Sequence, residues 1–395
     1  MRSGLNRSQI LVNGDHRTPN HIECVLIFNG LLLGLEAPFQ VNKIVSIEAY
    51  DVGYIRAPCS VLSRDDPSMS LETKRPTVEA AEEILGGYFP ALDHGFVALV
   101  DYMGTDEDVE RAARVSYGAG TRKVSLTRGL IRYLRRHRHT TPSEMVEFKF
   151  HCAMPMFIAR QWVRHRSASI NEYSGRYSLM PLLFYMPDEE HFALQSQSNK
   201  QGREQLASAE LYRSAVERWE RIRADAGEGY AWMIGEDIAR EIARIDLPLS
   251  TYTQWYWKID LHNLLHFLSL RADPHAQWEI RVFANIIAGM VKRVAPLSFE
   301  AWVDYDLLGQ SMSRAELSVL ADLLDVDGSS VVTRSGASFS SEKLKEIGLS
   351  GREIEEFLAK LRRPSAEDFE LDLSTMRKAE EVQSEMHEAV PGHFE

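Results

Sequence analysis

Cysteine is scarce in this 395-residue chain, which holds only Cys24, Cys59 and Cys152. So sparse and odd a set provides no disulfide framework and no paired metal-ligand spacing, so no metal is expected and a reducing cytoplasm is the simplest compartment. Long apolar runs are missing too. The best attempt, "CVLIFNGLLLGLEAPF" from Cys24, is interrupted by Asn29, Gly30, Gly34 and Glu36, short of the ~18 uninterrupted residues that a membrane span needs. It also starts too deep, behind a polar and charged leader, for a signal peptide. Positive charge is in deficit: 45 Lys+Arg against 57 Asp+Glu leave −12. Such a balance lacks the basic surface that phosphate neutralisation requires, so general nucleic-acid binding is not expected. There is no internal repeat of fixed period.

What is present is 44% hydrophobic residues, enough for a real core. Residues 1–90 read as an N-terminal extension, with "SRDDPSMSLETKRPT" from Ser63 as a linker or disordered stretch. Then the patterning tidies. "GFVALVDYMG" from Gly95 is strand-like. Thr105 precedes an acid-rich first turn, a helix N-terminus signature, with Gly118 beyond the far end. Leu126, Leu130, Ile131 and Leu134 share a helical face. Val146, Phe148, Phe150 and Cys152 alternate with Glu147, Lys149 and His151, as in a half-buried strand. Pro155 is placed to open a helix running to about His165. Further helices are expected over Leu206 to Ala226, with Gly227 at its end, over "GEDIAREIARIDLP" with Ile238, Ile242 and Ile245 buried, around Leu261, Leu264, Leu265 and Leu268, and over a stripe of Ile280, Phe283, Ile287, Met290 and Val294. Residues 309–395 read as a helical extension with capping boxes at Ser313/Glu316 and Ser350/Glu353, Leu349 and Ile354 stapling the second, and a loose acidic tail from Pro364.

Against the acidic background stands "RQWVRHRSASINEYSGRYS", Arg160 to Ser178, with four arginines, one histidine and a single carboxylate. Arg160 and Arg164 share a helical face, and the Ser/Gly/Asn loop beyond supplies amides and hydroxyls. Arginines at a helix end beside such a loop suit a phosphate. The alternative is an ordinary solvated basic face.

Within this stretch Arg164-His165-Arg166, seven residues and Ser174 resemble the signature of flavin-dependent thymidylate synthases, as do "ARVSY", "HTTP", "NEYSGRYS", "REIARIDLPLSTYT" and "LRADPHAQWEI" at compatible spacing. The resemblance covers roughly His94 to Asp306, within a domain expected over 91–308. It implies an α+β fold, a mixed sheet with packed helices, assembled as a homotetramer with shared active sites. It implies a methyltransferase that makes dTMP from dUMP, with methylenetetrahydrofolate giving the carbon and NADPH reducing FAD. The alternatives are a flavoenzyme modifying another pyrimidine nucleotide and a catalytically silent nucleotide-binding protein.

By the same resemblance, Arg164, His165, Arg166, Glu172, Ser116, His139 and Thr141 match flavin-contacting positions, joined by Asn263 and His266. Gln161, Arg164, Glu172, Ser174, Gly175, Arg176, Arg244 and Arg271 match the dUMP pocket, with Glu241 beside Arg244 either at the site or in a plain helical salt bridge. Arg271 is expected at the uracil edge, where a cation stabilises charge as C5 becomes nucleophilic. Ser174, the other catalytic candidate, is read as binding the ring rather than attacking it. His275 and Glu279 have the i, i+4 spacing of metal ligands but no third partner.

Overall fold

The computed structural model describes residues 75–115, 127–197, 202–327, 330–334, 338–362 and 369–391, and the backbone of short strands between residues 10 and 63. The chain divides into Met1–Arg75 and Pro76–Glu395. In the first unit, Ile10–Asn13, His21–Phe28 and Leu31–Pro38 form a three-stranded antiparallel sheet in sequence order. The interrupted apolar run is therefore a hairpin, and Asn29-Gly30 is a favoured two-residue hairpin sequence.

The second unit is built on a five-stranded sheet: β1 (Tyr88–Ala91), β2 (Gly95–Met103), β3 (Glu147–Pro155), β4 (Ser169–Glu172) and β5 (Tyr252–Asp260), in the order β1-β2-β3-β5-β4. The expected mixed sheet is antiparallel at every one of these pairings. A three-residue turn with Leu92 at φ 61° joins β1 to β2, and the longer connections bring each strand back in the opposite sense.

The helices follow as α1 (Asp106–Arg114), α2 (Thr127–Arg136), α3 (Met156–Trp162), α4 (Ala209–Gly235), α5 (Arg240–Ala243), α6 (Leu261–Arg271), α7 (Trp278–Val294) and α8 (Pro296–Trp302). Thr105 caps α1 in a full capping box with Asp108, and the Asp260 carboxylate caps α6 by accepting from the Asn263 amide at 2.9 Å. The expected apolar stripes of α6 and α7 are buried along their length. In α2, Ile131 and Leu134 are buried, whereas Leu126 and Gly118 lie outside the described residues.

The core sits between one sheet face and α6 and α7, around Trp162. Its indole packs on Trp255, Trp257, Phe267 and Phe283 at centroid separations of 5.0 to 6.0 Å. A Trp buried among aromatics is worth about 3–5 kcal/mol against truncation. Trp162 is the last residue of α3, so the core anchors the start of the basic segment.

Four expectations change. Helix α4 runs through Gly227, because Tyr230, one turn on, is buried and accepts from the Met180 amide at 2.8 Å. The "GEDIAREIARIDLP" segment forms only the single turn α5, leaving Ile242 and Ile245 52% and 67% exposed. Strand β3 is half-buried only at its start: Glu147 and Lys149 face outward, but His151 is buried, held by the Tyr88 hydroxyl at 3.1 Å and Gln254 at 2.9 Å.

The cause of that burial is the fourth change. Past α9 (Arg314–Leu323), α10 (Ser341–Glu346) and α11 (Gly351–Lys360), which form a satellite cluster with Leu349 and Ile354 buried and both capping boxes made, the expected loose tail is docked over 369–391. Phe369 inserts beside Phe299 and Trp302, and Leu371 covers Gly289, where a Cβ would stand 2.8 Å from it. Arg377 and Tyr88 exchange two backbone hydrogen bonds. Helix α12 (Ala379–Glu388) then lays Val382 on Tyr88, Phe96, Ala98 and Ala153. A few apolar side chains at the right spacing outweigh an acidic composition.

Candidate active site

Helix α3 presents Arg160 and Gln161 and stops at Trp162, three residues before the expected end. The Val163 amide donates to the Ala159 carbonyl at 2.9 Å and the His165 amide to Trp162 at 3.0 Å. The chain turns here because it must enter β4, whose partner is the outer edge of β5. Arg164 and Arg166 project from the turn, exposed. Arg160, Arg164 and Arg166 have no ion pair or hydrogen-bonded side-chain partner among the described residues.

His165 points inward between them. Its ring meets the edge of Phe267 at 4.9 Å and lies 6.3 Å from His266. Its Nε2 accepts a 3.1 Å hydrogen bond from Arg271 Nε at the end of α6. Accepting requires an unprotonated Nε2. Burial, the Arg271 charge and His266 lower the His165 pKa to about 4, so the imidazole is neutral at pH 7. It therefore orients Arg271 without competing with it for an anion. Burial also lowers the Arg271 pKa, although a guanidinium keeps its charge in proteins.

At the far end of β4, a span of about 13 Å for four residues, a second cluster forms. Glu172 accepts from the Thr253 hydroxyl at 2.8 Å. The Tyr177 and Ser178 amides both close on the Ser174 carbonyl at 3.0 Å, making a tight turn. Gly175 sits where an added Cβ would stand 2.6 Å from Met180 Sδ and 3.1 Å from Arg244 Cδ; the glycine lets Arg244 close on the turn. Arg176 donates to Glu241 at 2.9 Å, and Arg240 bonds the Tyr177 carbonyl. Glu241 therefore ties α5 to the loop instead of pairing with Arg244, which has no partner among the described residues. The structure thus gathers Glu172, Ser174, Gly175, Arg176, Glu241 and Arg244 in one place, and His165, His266 and Arg271 in another. The arrangement leaves free guanidiniums suited to an oxyanion and one buried, oriented guanidinium suited to a developing charge.

His139 and Thr141 line a cavity of about 910 Å³ together with Leu130, Tyr133 and Pro142. Its size is within the range of cofactor pockets, and its lining mixes apolar side chains with Asp108, Arg111, His139 and Thr141. Helix α6 packs on the turn Thr141–Met145 that forms one wall. Asn263 on that helix is turned back to its own cap, donating to Asp260 at 2.7 Å. Ser116 lies outside the described residues.

Gln161 donates through Nε2 to Gln277 Oε1. Gln277 in turn donates to the buried carboxylate of Glu279 at 2.9 Å, which also takes Arg203. Neither Gln277 nor Arg203 stands out as a site residue from residue type and spacing, and Glu279 does so only through its spacing from His275. Their only other signal is membership of the "HAQWEI" block and of a polar stretch. His275 points away from Glu279 and bonds Asp273 on the surface.

Residues 98–297 match the family described as Thy1, thymidylate synthase complementing protein. A protein of Gluconobacter oxydans (strain 621H) named flavin-dependent thymidylate synthase is 51% identical over 260 residues, covering 65% of this chain and 85% of the relative. A protein of the same name from Wolbachia pipientis wMel is 45% identical over 279 residues, covering 71% and 97%. Among solved structures, the UMP/dUMP methylase PolB of Streptomyces cacaoi bound with 5-Br dUMP aligns at 34% identity with a TM-score of 0.51, covering 56% of this chain and all of that one.

Proposed function

The chain belongs to the Thy1 family of thymidylate synthase complementing proteins, and from that membership we propose that it is a flavin-dependent thymidylate synthase. In this reading it converts dUMP to dTMP, taking the carbon from methylenetetrahydrofolate and reducing equivalents from NADPH through FAD. The observation that carries it is Arg271 oriented by a neutral His165, in a chain whose Arg164 and Arg166, on either side of that histidine, have no partner among the described residues.

Arg164, Arg176 and Arg244 bind the nucleotide phosphate, with the Ser174-Gly175 turn approaching closely because residue 175 has no side chain. Gln161 and Glu172 orient the nucleoside. Arg271 faces the N3/O4 edge of the uracil and stabilises the negative charge that develops as C5 becomes nucleophilic. One preorganised donor of this kind is worth about 3–4 kcal/mol. His139, Thr141, Arg164, His165, Arg166 and His266 hold the flavin, which when bound supplies hydride chemistry. Ser174 binds the ring and does not attack it.

The site is completed between copies of the chain, as a homotetramer with shared active sites. What supports this is large apolar side chains left exposed in and next to the segment that carries Arg244: Ile242, Ile245 and Leu249 are 52%, 67% and 64% exposed, and exposed apolar surface of this kind marks interfaces. The buried free thiol of Cys152 fits a reducing cytoplasm.

The test is direct. Purified yellow protein given dUMP, methylenetetrahydrofolate and NADPH under anaerobic conditions should yield dTMP by mass. Flavin-loaded protein that makes none, or that methylates UMP or dCMP in preference, overturns the reading.

A further inference from the structure

The row Gln161–Gln277–Glu279 has a direction. A carboxylate only accepts hydrogen bonds, whereas a glutamine amide presents either end. Glu279 is buried and takes Arg203, Gln277 at 2.9 Å and the Tyr185 hydroxyl at 3.3 Å. Burial pushes its carboxyl up, but Arg203 first, then Gln277 and its own backbone amide, outweigh burial and hold it below the usual carboxylate range. Gln277 must therefore turn its NH2 group toward Glu279 and its carbonyl toward Gln161. Gln161 must answer with its own NH2 group. That leaves Gln161 Oε1, which has no partner among the described residues, as the end that is free for a ligand.

We propose that Glu279 is a positioning residue that, through Gln277, sets the polarity of the Gln161 amide, so that the nucleotide pocket offers a carbonyl oxygen and selects a hydrogen-bond donor on the ligand. This deepens the reading above, since it rests on Gln161 facing the nucleotide. The donor is a nucleoside O–H or N–H: the sugar 3′-hydroxyl or the uracil N3–H. It is not the phosphate, which has no donor when ionised.

Three nucleotides separate these sources: dUMP, the 2′,3′-dideoxy analogue without the 3′-hydroxyl, and N3-methyl-dUMP. Binding is read from the flavin spectrum or by calorimetry on flavin-loaded protein. One analogue should bind the wild type about tenfold more weakly than dUMP, the scale of one hydrogen bond. Glu279→Gln, whose amide accepts either orientation of Gln277, should lose about that tenfold for dUMP and nothing for the analogue lacking the donor. Arg203→Lys, which keeps a cation beside the carboxylate, should preserve the discrimination. A loss equal for all three nucleotides, or discrimination unchanged in Glu279→Gln, overturns the proposal.

A ligand-free arm keeps the two readings apart. If wild-type protein binds no nucleotide, the function proposed above fails. The row is then judged by thermal unfolding of Gln161→Ala, Glu279→Gln and the double variant. Non-additive melting shifts sustain the coupling; additive shifts sink it.

Discussion

Two arginine-rich stretches look alike in sequence and differ in the folded chain. On α2, Arg128 bonds Glu300 at 2.6 Å, Arg132 bonds Glu300 at 2.8 Å and Asp304 at 2.5 Å, and Arg135 bonds Asp306. Those carboxylates come from α8 and the turn after it, so the cations staple two helical segments together. In the stretch beginning at Arg160, Arg160, Arg164 and Arg166 have no such acceptor, and across the turn neither does Arg244. Basic residues in this acidic protein are thus tied into the structure where the fold supplies carboxylates and left without an acceptor where it withholds them, Arg176 on Glu241 belonging with the first set. Local charge density does not distinguish the two.

The largest expected effect tests the ligand side. Arg271→Ala should lower dTMP formation by at least about a hundredfold, the scale of one preorganised donor, while the flavin spectrum persists. Loss of the flavin instead would move Arg271 out of the uracil role. Next, Arg164→Ala and Arg244→Ala should each raise the KM for dUMP by roughly tenfold or more, as loss of a charge-assisted phosphate contact does, without lowering the melting temperature. A fall in melting temperature with KM unchanged would place these side chains with the structural set.

The structural side predicts the reverse. Combining Arg132→Ala with Arg135→Ala should lower the melting temperature by a few degrees, about what ~1 kcal/mol does in a domain of this size, and leave KM and kcat within about twofold. The shift should shrink in high salt, since these pairs are partly exposed. Activity lost along with stability would blur the distinction.

The smallest effect is a pH dependence. His165 holds a pKa of about 4, below the ordinary value near 6.5. The unfolded chain takes up a proton that the folded chain resists, so this contribution is intact above about pH 6.5 and is lost as pH falls toward 4. His165→Gln should flatten that part of the stability profile. An unchanged profile would mean that folding does not lower the His165 pKa.

Much of this architecture was legible beforehand. The 3.6-residue stripes of α6 and α7, the start of β3 and the boxes at Ser313 and Ser350 are local patterns, and local sterics and hydrogen bonding settle them. The misreadings share a cause as well. Ile242 and Ile245 form an apolar stripe that no part of the described chain covers. His151 sits on a polar-facing strand position, yet it is buried by a helix more than 200 residues later in the chain. The tail looked acidic and loose, but Phe369, Leu371 and Val382 find apolar sites made elsewhere. In the candidate site, the arginines and the Ser174-Gly175 turn were readable from type and spacing. Gln277, Glu279 and the pairing of Glu241 with Arg176 were not, because each depends on a contact between segments far apart in the chain.

By itself the sequence determined the strongly patterned helices and strands, the family of the chain, and where its arginines cluster. Only the tertiary structure decided which guanidiniums have carboxylate partners, that the His165 ring is neutral, and which way the Gln161 amide points. The physical reason is that charge state and hydrogen-bond polarity belong to an environment. Long-range packing assembles that environment from distant segments, and no single stretch of chain contains it.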